Sequence, residues 1–186
     1  WDNKYIGSAR VRYAIEHSMN VCAVRTLTET VGLEKGYKYL ENFGFTTLVN
    51  NDPNYPGMSD IAQATALGGI TRGVYNIEMT AAYAAIANSG IYTEPLLYTE
   101  ILDHDGNVLI DNSKPITRRV LKESTAFLLT SAMQDVINRG TGTPARLNNM
   151  PAAGKTGTTE NSTDLWLSAY TPYYTCSVWT GYDEDK

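Results

Sequence analysis

The segment Ala152-Ala153-Gly154-Lys155-Thr156-Gly157-Thr158-Thr159 sets one ammonium between two glycines, with three hydroxyls close behind it. Asp164-Leu165-Trp166-Leu167 follows, and the β-rich pattern beyond it makes the lysine segment an exposed edge strand. Alternate side chains of a strand share a face, so Lys155 and Gly157 fall on one side, Thr156 and Thr158 on the other. Strand twist and glycine's backbone freedom can still bring a threonine hydroxyl round to the ammonium's groove. A glycine also lets a ligand's backbone approach closely. Together these residues outline a site for an anionic, peptide-like ligand.

The rest of the chain narrows the choice. Its 186 residues suffice for one domain with a core, and 42% hydrophobic residues is ordinary for a globular protein. A net charge of -5 without a basic cluster argues against nucleic acid as a partner. No apolar run approaches the roughly 20 residues of a membrane helix, and the N-terminus is not signal-like. The chain opens at Trp1 rather than methionine, as expected of a fragment or processed piece. Cys22 and Cys176 are too few for a disulfide scaffold, and their apolar neighbours predict two buried free thiols.

In chain order, Ser8 is placed to cap a helix through about Glu16, with Val11, Ala14 and Ile15 on its apolar side. His17-Ser18-Met19-Asn20 interrupts it. Val21, Val24, Leu27, Thr28 and Val31 recur at helical spacing until Gly32, and a third helix covers Leu33 to Asn42. Residues 50–57 are loop, and Ser59 to Ala66 reads as a short helix. Asn76 caps an apolar helix, Ile77 to Ala87, which Gly90 ends. Strand-like sequence starts at Leu96, with a hairpin turn at Asp105-Gly106. An amphipathic helix covers about Glu123 to Asn138, with Phe127, Leu128, Ala132, Val136 and Ile137 toward the core. The lysine strand, Leu165 to Tyr170 and Tyr174 to Tyr182 then form an antiparallel meander. The whole is one α+β unit, an antiparallel sheet packed by helices.

Three familiar motifs fail. Gly154-Lys155-Thr156 lacks the upstream glycine of a phosphate loop, since Asn149 stands there, and strands follow it rather than a helix. Gly140, Gly142 and Ala145 follow a helix, and Pro144 interrupts them, so they are not a dinucleotide turn. His17 and His104 lack metal-ligand spacing, so no metal and no cofactor are expected. Ser18-Met19-Asn20 and Lys155-Thr156-Gly157-Thr158 remain. Taken singly each has an ordinary structural use: a serine helix cap, a turn asparagine, an edge-strand lysine that discourages aggregation, threonines chosen for β propensity.

Their ordered co-occurrence resembles the transpeptidase domain of penicillin-binding proteins, whose Ser-x-x-Lys, Ser-x-Asn and Lys-Thr-Gly elements act together. Val178-Trp179-Thr180-Gly181-Tyr182-Asp183, Gly140-Thr141-Gly142 and the run Glu78 to Asn88 are similar to the bifunctional, class A branch. Asn76-Ile77 and Ala169 depart from the family's usual Ser-Pro or Thr-Pro and glycine, away from the proposed chemistry.

The resemblance implies a penicillin-recognising fold and a serine acyl transfer on peptidoglycan stem peptides ending in D-Ala-D-Ala, with β-lactams as mimics. It implies catalytic Ser18, Asn20 and Lys155: Ser18 as a proton relay tuned by Lys155, Asn20 on the substrate amide. It implies substrate binding by Thr156, Gly157 and Thr158, with the two hydroxyls on the terminal carboxylate and the Thr158 N–H in the oxyanion hole. No serine in the chain has lysine at the third following position. The expectation is therefore that residues 1–186 are the C-terminal part of one transpeptidase domain, incomplete in this chain. A second polypeptide segment would carry Ser-x-x-Lys, and a segment outside this chain would anchor the protein at the extracytoplasmic face of the bacterial membrane. A D,D-carboxypeptidase or β-lactamase, and a non-catalytic β-lactam sensor, share these motifs. Residues 160–163 are expected at the groove's rim.

Overall fold

The structure is a computed structural model that describes residues 6–159 and 162–182. Glu160 and Asn161 of the expected rim, and Asp183 of the terminal motif, lie outside the described residues. The first helical layer is α1 (Val11–Glu16), α2 (Asn20–Arg25) running into a π-helical turn (Thr26–Val31), and α3 (Leu33–Asn42). The Ser8 cap is not formed. Arg10 stands at the cap of α1 without a side-chain bond, and Val11 is exposed. What holds α1 is packing against a later helix, with Ile15 reaching the core. The π turn coincides with hydroxyls that back-bond the helix, Thr26 Oγ1 to the Cys22 carbonyl and Thr28 Oγ1 to that of Val24. Gly32, at φ 91°, stops it, as its position in the sequence predicts.

Two buried carboxylates organise the irregular stretch that follows. Asp60 accepts from the Val49 and Thr71 N–H groups and the Thr71 hydroxyl at 2.7–2.8 Å, pinning the two sides of the loop. With Asp60 spent in this way, the helix expected over Ser59 to Ala66 is reduced to a 3₁₀ turn at Gln63–Leu67. Glu78 Oε1 takes the Thr46 N–H and hydroxyl, tying this stretch to α4 (Asn76–Ala87). Tyr75 rather than Asn76 is the cap of α4. Asn76 is its first helical residue, and its side-chain oxygen accepts from the Thr80 hydroxyl at 3.3 Å.

Strand β1 (Ile91–Thr93) starts earlier than Leu96 and pairs antiparallel with β4 (Thr117–Arg119). Between them lies the expected hairpin, β2 (Glu100–Leu102) and β3 (Val108–Asp111), turning at Gly106 with φ 84°. Helix α5 (Glu123–Arg139) buries Ala126, Ala132, Met133, Val136 and Ile137. Phe127 and Leu128, expected in the core, are 70% and 62% exposed. The buried stripe is shifted because small alanines let α5 approach the sheet closely. Helix α4 does the same through Ala81, Ala82 and Ala85.

Strands β5 (Ala153–Thr158), β6 (Asp164–Tyr170) and β7 (Thr175–Gly181) form the antiparallel meander, β5 at its edge. Helix α5 packs on β5, and α4 on β6 and β7. Register places Ala153, Tyr170 and Thr175 in one row, Lys155, Ser168 and Ser177 in the next, Gly157, Trp166 and Trp179 in a third. The first row meets Met133, Ile15, Tyr83, Ile86 and Leu129 in the core, and Tyr170 hydrogen-bonds Thr130 at 2.7 Å. Lys155 therefore stands on the helix-facing side, one row out from the core. The cysteines are free thiols, but Cys22 is only half-buried and Cys176 is exposed on the opposite face of β7.

Candidate active site

Ser18 lies in the turn between α1 and α2 with φ 52°, a left-handed conformation rare outside glycine and asparagine. Its N–H bonds the Ile15 carbonyl at 3.2 Å, and the Met19 N–H bonds that of Ala14 at 2.9 Å. This is a Schellman closure with a serine where glycine is usual. The serine caps neither helix through its side chain. Its hydroxyl instead accepts a hydrogen bond from Lys155 Nζ at 2.7 Å, across 137 residues of chain. Asn20, the first residue of α2, is exposed, and among the described residues nothing occupies its amide.

Lys155 Nζ also donates to the Thr156 carbonyl at 2.8 Å. Burial, with no carboxylate partner among the described residues, lowers its pKa from the ordinary lysine value of 10.5. The bond to Thr156 follows from the ladder. The Thr159 N–H bonds the Asp164 carbonyl at 3.1 Å, so position 159 is a hydrogen-bonded pair with β6. Antiparallel pairs alternate. Gly157 and Lys155 are then the bonded positions, and the N–H and C=O of Thr158 and Thr156 point away from β6 to the open edge. The edge thus presents the Thr158 N–H and the Thr156 carbonyl, the latter bonded by the ammonium. Gly157 pairs with Trp166, where a Cβ would lie 3.3 Å from the Trp166 Cβ.

The turn after α5 forms a third wall that sequence reasoning did not assign to the site. The Thr141 N–H bonds the Glu16 carbonyl at 3.3 Å, and the Thr141 hydroxyl lies 2.7 Å from that of Thr156. An ion pair braces this junction: Arg139 Nε reaches Glu16 Oε2 at 3.1 Å, and Asp135 takes both Arg139 and Arg12. Ser18, Thr141, Lys155 and Thr156 are thus brought together from three elements. The only signal in the sequence was Gly140-Thr141-Gly142 itself. Among the described residues no group of three or more His, Cys, Asp or Glu could hold a metal ion.

An ammonium, hydroxyls and outward N–H groups along one open strand edge suit an extended peptide with a carboxylate end. The model of the penicillin binding protein transpeptidase domain matches residues 1–186. The chain belongs to this family. It is 39% identical over 184 residues to penicillin-binding protein 1A of Clostridium acetobutylicum, covering 98% of this chain and 22% of that protein. It is 34% identical over 190 residues to penicillin-binding protein 1F of Bacillus subtilis, covering 99% and 25%. Among solved structures, penicillin-binding protein 1A from Haemophilus influenzae superposes with a TM-score of 0.79 at 23% identity, over 97% of this chain and 31% of that one. PonA1 from Mycobacterium tuberculosis gives 0.76 at 24%, over 97% and 50%. The chain therefore spans about a quarter of the length of these curated relatives, and its α+β fold is that of the solved structures.

Proposed function

We propose that residues 1–186 are the C-terminal part of a D,D-transpeptidase domain and form three walls of its acyl-transfer groove: the Ser18 turn, the β5 edge and the Thr141 turn. A serine of a Ser-x-x-Lys segment outside residues 1–186 attacks the penultimate D-Ala carbonyl of a stem peptide. The serine oxygen forms an ester as the C–N bond to the terminal D-Ala breaks, and the proton it loses is relayed through Ser18 to the leaving amine, with Lys155 holding the Ser18 oxygen. A neighbouring stem's amine then displaces the serine ester and restores the hydroxyl. Lys155, Thr156 and Thr158 hold the substrate carboxylate, and Asn20 holds the amide through its side chain. The outward N–H of Thr158 supplies half of the oxyanion hole, the nucleophile's own N–H the rest. A segment outside this chain anchors the protein at the extracytoplasmic face of the membrane.

The observation that carries this reading is the 2.7 Å bond from Lys155 Nζ to Ser18 Oγ, which joins the two motifs into one site. That the similar M. tuberculosis PonA1 was solved in complex with penicillin V supports β-lactams as ligands. The test is to label the full-length protein with a fluorescent penicillin, digest it and map the labelled peptide. The adduct is expected on a serine outside residues 1–186. An adduct on any serine within them overturns the assignment of the nucleophile.

A further inference from the structure

The turn after α5 holds one side chain where its neighbours can hold none. A Cβ on Gly140 would come within 2.3 Å of the Glu16 carbonyl oxygen and 2.9 Å of the Val136 Cα. One on Gly142 would meet Ile137 Cδ1 at 2.9 Å. The Gly142 N–H bonds the Val136 carbonyl at 3.0 Å, and the Thr141 N–H bonds that of Glu16. Glycine on both sides lets the turn press against α1 and α5, and this leaves Thr141 as the side chain that projects from it. Thr141 is exposed, so its hydroxyl is not satisfying a core. It meets the Thr156 hydroxyl at 2.7 Å.

We propose that Thr141 is a positioning residue that sets the direction of the Thr156 hydroxyl toward the carboxylate of the bound peptide or β-lactam. The inference rests on the reading of the β5 edge as a carboxylate-binding wall. A hydroxyl has one proton to give. With Thr141 donating to Thr156, the Thr156 proton is left for the anion. The donated bond also polarises the Thr156 O–H, as linked hydrogen bonds do. With Thr141 held by the Glu16 carbonyl, the position of α1 and the donor at β5 are coupled, so the turn that carries Ser18 and the strand that carries Lys155 share one reference point.

The test uses full-length protein as wild type, Thr141→Val, Thr141→Ser and Thr156→Val. Acylation by benzylpenicillin is resolved into Kd and the acylation step, alongside acylation by its methyl ester and thermal unfolding. Thr141→Val keeps the shape and loses the hydroxyl. It should weaken Kd about three- to tenfold, as loss of one hydrogen bond would, with the change carried by Kd rather than by the chemical step. Thr141→Ser should restore Kd, and the ester, which has no carboxylate, should react with wild type and Thr141→Val alike. If Thr156→Val weakens benzylpenicillin and Thr141→Val does not, Thr141 has no positioning role. A loss in Thr141→Val that falls equally on acid and ester, or that serine does not restore, likewise overturns the proposal. If Thr156→Val itself changes nothing, the carboxylate-wall reading fails and takes this inference with it.

Discussion

Arg139 Nε stands 3.1 Å from Glu16 Oε2, and the two partners face different surroundings: Glu16 is 7% exposed, the Arg139 side chain 59%. This pair ties the end of α1, which leads into Ser18, to the end of α5, which leads into Thr141. The asymmetry gives a directional prediction. Arg139→Leu leaves a buried carboxylate without its partner and should cost about 1–3 kcal/mol, whereas Glu16→Gln leaves a solvated guanidinium and should cost less. Chemical denaturation of the two variants checks the order. Equal losses would mean that the pair is a surface contact only.

Ser18 sets stability against function. Its left-handed backbone costs a non-glycine residue roughly 1 kcal/mol. Ser18→Gly should raise stability by up to about that amount while impairing release of the leaving amine. Ser18→Ala should impair it equally without the gain, since alanine keeps the strain. Unfolding midpoints and turnover of a D-Ala-D-Ala peptide, measured together, separate the two effects.

Gly154 faces Ala169 across the β5–β6 ladder, and a Cβ on it would lie 2.7 Å from both the Ala169 Cβ and the Ser168 carbonyl oxygen. Gly154→Ala should cost about 1–3 kcal/mol by overpacking. Adding Ala169→Gly removes one of the two clashes, so the double variant should recover part of the loss. A double-mutant cycle measured by denaturation reads this coupling directly, and strict additivity would contradict it.

Burial holds the Lys155 pKa below 10.5, so the ammonium loses its proton earlier than an exposed lysine would. Acylation by a carboxylate-bearing β-lactam should fall as pH rises through that lowered value. In Lys155→Arg the cation persists, and this alkaline limb should vanish even if the overall rate is lower. The same shift has a stability sign. The unfolded chain binds the extra proton between the lowered value and 10.5, so this group's contribution rises with pH across that window. A pH–rate profile of wild type and Lys155→Arg decides the assignment, and an unmoved limb would place it on another group.

Much of this was legible because local rules and tertiary packing agreed. Leu33 to Asn42, the turn at Asp105-Gly106 and the three terminal strands needed only periodicity and punctuation. Ala132, Val136 and Ile137 of α5 are buried as expected, but hydrophobicity favoured Phe127 and Leu128 where close packing buries Ala126 and Met133. Strands β1 and β4 are three residues each, too short for alternation to show. At the site, Ser18, Lys155 and Thr156 carried a motif, and the structure brings them together. Thr141 stood in Gly140-Thr141-Gly142, similar to the family's sequence but without a site role there, because its contact is with a hydroxyl fifteen residues away, a distance no periodicity encodes. The left-handed turn at Ser18 was equally hidden, since serine does not announce a positive φ.

The most direct test of the groove is the second-order rate at which benzylpenicillin acylates the full-length protein, compared between wild type and Lys155→Met. Lys155 is assigned both the Ser18 oxygen and the ligand's carboxylate, so its loss should lower that rate on the order of 10²-fold while the fold is retained. A folded Lys155→Met variant that acylates at the wild-type rate would contradict the account.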